Sequence, residues 1–201
     1  MKLYYGVAAC SLAALIVANE AGIDLDLIKV DIYSAPHTLP DGSDYATVNP
    51  RLYVPILEFV DGSRLSEVAV ILQYLADQAP GSGLAPDRDD DRRYRLQEWL
   101  NFISSELHKA FSPWLFHPEL GQVAQDAVRV RIASRLAWVE QQLENREYLL
   151  GNYSVADAYL FTILGWTKFT KIPLVDFPNI AAWQSRVAAR PAVREAVRRH
   201  V

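Results

Sequence analysis

The chain has one thiol, Cys10, followed by Ser11, where a short β-prone segment (Lys2-Leu3-Tyr4-Tyr5) gives way to a helical one. A cysteine at a helix start meets unpaired backbone N–H groups and the positive end of the helix dipole, which favour the nucleophilic thiolate. The competing reading is a small buried residue, common for a lone cysteine. Val54-Pro55 opens an apolar run, an odd place for proline, which cannot donate to a β-ladder. A cis bond there would turn the Val54 backbone groups toward a ligand edge. Glu67 follows a hairpin signal and opens a helix; it either takes an ammonium group or caps that helix. Asn101, Ser105, His108 and Ser112 recur at spacings of four, three and four on an otherwise apolar segment, with Lys109 beside them. Such a stripe either faces water or lines a cleft. His37, His117 and His200 are scattered, so no metal site is suggested.

The elements that must position these residues change character near residue 80. Before it, strand and helix signals alternate. A helix is expected over 11–21, stopped by Gly22, and an alternating strand over 24–32. The stretch 34–49 is irregular with one short helix. Val54 to Phe59 and Arg64 to Ser66 read as a hairpin turned at Asp61-Gly62, followed by a helix over 67–78. The order β-α-β-(α)-β-β-α implies a mixed sheet covered by helices. Ala79-Pro80-Gly81-Ser82-Gly83 is the linker candidate, and after it strand signals stop. Helices are expected over 89–114, 122–144, 154–166, 179–190 and 192–199. The domains are therefore read as 1–79, α/β; 80–88, linker; and 89–201, all-helical.

Over 201 residues, 20 Lys+Arg stand against 24 Asp+Glu, a net charge of −4, and 51% of the chain is hydrophobic. That leaves ample apolar surface for a core. One cysteine excludes an intrachain disulfide, a CxxC redox pair and a four-cysteine zinc site, and suits a reducing cytoplasm. The mild acidity argues against nucleic-acid and anionic-membrane partners. Val7-Ala8-Ala9-Cys10 looks like a lipoprotein cleavage box, but the apolar region before it is too short for a signal peptide. No apolar run reaches a membrane span.

Taken together, these features resemble the cytosolic glutathione transferases, most closely the bacterial beta class. The residues that carry the resemblance span the chain. They are Ala9-Cys10-Ser11-Leu12, Asn49-Pro50, Val54-Pro55, Leu65 to Glu67 and Ile71 to Asp77, then Trp99-Leu100-Asn101-Phe102, Glu106 to Lys109, Phe111-Ser112-Pro113 and Ser154-Val155-Ala156-Asp157. The last of these fits a capping box.

The resemblance implies a thioredoxin-like first domain (βαβαββα), a helical-bundle second domain, and glutathione as a co-substrate rather than a tightly bound cofactor. It implies that Cys10, Ser11 and His108 are catalytic. Tyr5, Val54, cis-Pro55, Glu67, Val68, Asn101, Ser105 and Lys109 would contact glutathione, Val54 through the cysteinyl backbone and Glu67 through the γ-glutamyl end. Phe111, Trp114, Phe116 and Trp166 would line the pocket of a small apolar electrophile. It further implies a cytoplasmic homodimer, toward which Tyr45, Leu52 and Tyr53 hint as exposed apolar residues.

Three positions depart from the family pattern. Val68 replaces a serine whose hydroxyl would donate to a carboxylate, Ala35-Pro36-His37 stands where a lysine is usual, and Gly6-Val7 lacks the common proline. One hydrogen bond to a charged group is worth ~1.5–3 kcal/mol, so glutathione affinity is expected to be weaker roughly ten- to a hundredfold. The alternative is a protein that keeps this fold, lacks transferase activity and binds another ligand or partner.

Overall fold

A computed structural model describes all of residues 1–201, which form two compact units: Met1–Leu84 with Arg190–Val201, and Ala85–Ala189. In the first unit, β1 (Lys2–Tyr5), α1 (Ser11–Glu20), β2 (Asp26–Lys29), β3 (Ile56–Glu58), β4 (Arg64–Leu65) and α2 (Val68–Asp77) follow one another, with a 3₁₀ turn at Tyr45–Thr47. The sheet order is β2-β1-β3-β4. Leu3 of β1 pairs in parallel with Leu27 and antiparallel with Leu57. The Asp61-Gly62 hairpin forms as its residues demand: Gly62 adopts φ +82°, and the Phe59 N–H donates to the Ser63 carbonyl at 2.9 Å.

Residues 13–18 of α1 are all buried. A helix apolar all round needs cover on more than one side. One cover is α2. The other is α9 (Pro191–Arg199), which buries Val193 and Ala196. Arg190 binds Glu20 through two bonds, 2.6 and 2.8 Å, and Asn19 donates to the Ala192 carbonyl at 3.2 Å. The last helix therefore belongs to the first unit rather than to the helical domain expected over 89–201. Tyr45 also differs from its expected exposure. It lies wholly inside the packing of Tyr4, Val30 and Ile56, and its hydroxyl donates to the Tyr53 carbonyl at 2.9 Å.

The second unit contains α3 (Arg92–Phe102), a π-helical segment (Ile103–His108), α4 (Lys109–Phe111), α5 (Gln122–Gln142), α6 (Val155–Leu164), α7 (Thr167–Thr170) and α8 (Pro178–Ala188). The single helix expected over 89–114 is thus interrupted where its polar stripe lies, and it ends at Ser112, which is extended before a cis Pro113. α6 is almost entirely buried. Ser154 and Asp157 close its start as a capping box, and Asp157 also accepts from the Leu149 N–H and the Trp183 indole at 3.0 and 2.8 Å. No helix is long and apolar enough to cross a membrane.

Candidate active site

The turn between β1 and α1 carries Cys10. Gly6 begins it at a position where a Cβ would lie 2.8 Å from Ile32 Cδ1, so only glycine fits without displacing that side chain. Its carbonyl accepts from the Ala9 N–H at 3.2 Å and from the Ser11 hydroxyl at 3.3 Å, while its N–H donates to Ser11 Oγ at 3.2 Å. Cys10 is the N-cap of α1 and is 7% exposed. Its thiol lies 3.2 Å from the Val54 carbonyl oxygen, to which it donates, and the Val54-Pro55 bond is cis.

Ser11 is fully buried; besides Gly6 it meets His200 Nε2 at 2.8 Å. The Tyr5 hydroxyl donates to the Val201 oxygen at 3.2 Å, and its ring lies 5.0 Å from that of His200. Burial pushes the His200 imidazole down to about 4, so it is neutral at ordinary pH.

Glu67 is the N-cap of α2 and adopts φ +69°, a left-handed conformation for a non-glycine residue. Backbone conformations of this kind cost of order 1–3 kcal/mol and cluster at functional sites. Its carbonyl accepts from the Val70 and Ile71 N–H groups, and its exposed carboxylate accepts from Arg51 Nη1 at 3.1 Å. Arg51 Nη2 also donates to Ser66 Oγ at 2.6 Å. The buried Val68 follows with no hydroxyl to offer. In the Ser34–Thr38 loop, which has no lysine, His37 Nδ1 is 2.8 Å from the Ser34 carbonyl oxygen and the Ser34 hydroxyl donates to the Pro36 carbonyl at 2.7 Å.

In the second unit the π-helical segment ends at His108, whose Nδ1 is 2.7 Å from the Tyr159 hydroxyl. Its ring meets Tyr159 edge-on at 5.8 Å and Trp166 at 5.2 Å, and Trp166 in turn contacts Phe111 and Phe116 at 6.1 and 5.3 Å. Burial first, and Lys109 second, push the His108 imidazole down to about 4. His108 thus joins three of the four expected pocket residues in one aromatic cluster. Trp114 is 40% exposed, and its carbonyl accepts from Gln125 at 3.3 Å. Asn101 and Ser105 turn their polar groups back onto their own helix, to the carbonyls of Gln97 at 3.2 Å and Asn101 at 2.9 Å. Lys109 is exposed.

Three residues join these sites without a sequence signal that could have found them. Arg51 reaches across 16 positions to Glu67, Tyr159 lies 51 residues from His108, and His200 lies 189 from Ser11. No grouping of three or more His, Cys, Asp or Glu side chains could hold a metal ion.

The α/β unit thus carries a thiol at a helix start against the carbonyl that precedes a cis-proline, and a strained acidic cap on its second helix. Residues 8–78 match the model of the glutathione S-transferase N-terminal domain, and residues 102–191 match that of its C-terminal domain. The chain belongs to the glutathione S-transferase family. Glutathione S-transferase GstA of Escherichia coli O157:H7 is 40% identical over 198 residues, covering 98% of this chain and 97% of that protein.

Among solved structures, a ternary complex of BphK, a bacterial GST, superposes with a TM-score of 0.96 at 49% identity, covering 100% and 99% of the two chains. The beta-class enzyme of Sphingomonas chungbukensis gives 0.94 at 39% identity, with 100% and 98% covered. A sphingomonad transferase solved in complex with glutathione gives 0.94 at 41% identity, with 100% and 98% covered. The alternative of a non-catalytic scaffold finds no support among these full-length relatives.

Proposed function

We propose that the protein joins the sulfur of reduced glutathione to an electrophilic carbon of small, apolar substrates. The observation that carries this reading is the Cys10 thiol against the Val54 carbonyl at a cis-proline, in the same unit as the strained Glu67 cap. In a substitution, the glutathione thiolate forms a C–S bond while the leaving group departs with its bonding pair, and the thiol proton passes to solvent. In this reading the Val54 backbone pairs with the cysteinyl unit. The N–H groups at the start of α2, with Glu67, hold the γ-glutamyl end. Asn101, Ser105 and Lys109 take the glutathione-facing roles that the family resemblance gives them, and Cys10 and His108 the catalytic ones, while the hydroxyl of the buried Tyr5 is engaged by the Val201 oxygen. The rings of Phe111, Phe116 and Trp166 supply the apolar surface an electrophile needs.

The same thiol supports a second activity. A Cys10 thiolate attacks one sulfur of oxidised glutathione, forming a mixed disulfide and releasing glutathione thiolate. Glutathione acts as co-substrate, and the protein works as a cytoplasmic homodimer. Exposed Leu52 and Tyr53 favour self-association.

Turnover of an activated chloronitroarene with glutathione tests the main reading, and intact mass after exposure to oxidised glutathione tests the second. We expect a thioether product, and one glutathionyl adduct that the Cys10→Ala variant lacks. No thioether from chloroarene, epoxide or enone probes would overturn the transferase reading. An adduct persisting in Cys10→Ala would move the disulfide chemistry elsewhere.

A further inference from the structure

We infer that His200 is a positioning residue for Cys10, acting through Ser11. This rests on Cys10 being the reactive thiol of the proposed function. The turn from Gly6 to Ser11 is closed by Ser11 Oγ, which accepts from the Gly6 N–H at 3.2 Å and donates to the Gly6 carbonyl at 3.3 Å. A hydroxyl has one proton and two lone pairs. Nε2 of a neutral His200 lies 2.8 Å from the same oxygen, and the hydrogen bond between them completes the hydroxyl's partners whichever group donates.

The ring is itself held. It packs on Tyr5 at 5.0 Å, and Tyr5 is tied to Val201 at 3.2 Å. α9 is anchored to α1 by the Arg190–Glu20 pair and by Asn19 donating to Ala192. The residue beside Cys10 is therefore fixed on one side by the turn and on the other by the last helix. The hydroxyl of Ser11, catalytic by the family resemblance, is engaged in this structure. With the turn fixed, the Cys10 thiol is kept on the Val54 carbonyl; with it loosened, the thiol spends more time away from that carbonyl and is easier to reach.

Alkylation of Cys10 by iodoacetamide tests this without glutathione, so its failure is separable from failure of the transferase reading. Cys10 is the only cysteine, so intact mass reports it unambiguously. His200→Phe keeps an aromatic ring and removes Nε2. It should raise the second-order alkylation rate about five-fold, the change expected for one lost hydrogen bond. His200→Gln, whose amide offers both a donor and an acceptor, should return it toward the wild-type rate. Ser11→Ala should match His200→Phe, and the double variant should go no further. If His200→Phe fails to fold, the smaller Ser11→Ala with His200→Gln still decides the matter. Alkylation unchanged in His200→Phe and Ser11→Ala, or a melting temperature that falls while alkylation stays constant, would overturn the inference, since both describe a merely structural histidine.

Discussion

Cys10 and His108 each sit beside a helix start or break, but they are held by different kinds of atoms. Cys10 faces backbone: the Val54 carbonyl beneath it and, around it, a turn closed on the Gly6 N–H and carbonyl. His108 faces side chains: the Tyr159 hydroxyl on its Nδ1 and the rings of Tyr159 and Trp166 on its edges. A backbone acceptor keeps its place when the side chain above it changes, whereas a side-chain partner is lost with one substitution. Each region also contains one buried neutral histidine, His200 behind the cysteine turn and His108 in the aromatic cluster. The contacts of Cys10 therefore tolerate side-chain changes that the contacts of His108 do not.

Acid offers the largest perturbation of both regions. His108 and His200 titrate near 6.5 when unfolded, but burial lowers each to about 4 in the fold. The unfolded chain therefore binds their protons first, and the stability they contribute is present above pH 6.5 and lost as the pH falls toward 4. Each shift corresponds to about 3 kcal/mol at the acid end. Asp157 works the other way, because burial raises its carboxyl to about 6. The clean measurement is the difference between the protein and a His108→Gln/His200→Gln double variant in chemical denaturation from pH 7.5 to 4.5. The double variant should lose less stability over that range; parallel curves would show that neither histidine is buried neutral.

A pair of substitutions sharpens the contrast further. Tyr159→Phe deletes the one hydroxyl on His108 and should cost about 1–3 kcal/mol by leaving a buried imidazole nitrogen unpaired, with turnover falling alongside. Val54→Ala removes a half-buried side chain but not the carbonyl, and the Cys10 alkylation rate should stay within about two-fold of the original. A larger effect from Val54→Ala than from Tyr159→Phe on their respective readouts would reverse the comparison.

The same distinction explains what could be seen in the amino acids alone. The Gly62 hairpin, the Ser154–Asp157 capping box, the cis-proline strand and the Cys10 helix start are local devices, and each formed where its residue types predict. The placement of α9 was not visible, because its apolar face suits α1 as well as any bundle partner, and the Arg190–Glu20 pair spans 170 positions. The π-helical segment escaped because residues at three- and four-residue steps look the same whether or not one turn is widened. Cys10, Val54, Glu67 and His108 stand out as candidates by type and spacing, each beside a plain structural reading, and the family resemblance is what gives them their roles. Tyr159, Arg51 and His200 do not, since nothing in their own neighbourhoods marks them for partners so far along the chain.

We propose that the first unit binds glutathione against Val54 and the start of α2, where Val68 withholds one hydrogen bond. Calorimetric titration of reduced glutathione into the protein and into its Val68→Ser variant at neutral pH tests it most directly. We expect saturable binding in the micromolar to low-millimolar range that tightens roughly ten-fold or more in Val68→Ser. No heat from either protein into the tens of millimolar would contradict it.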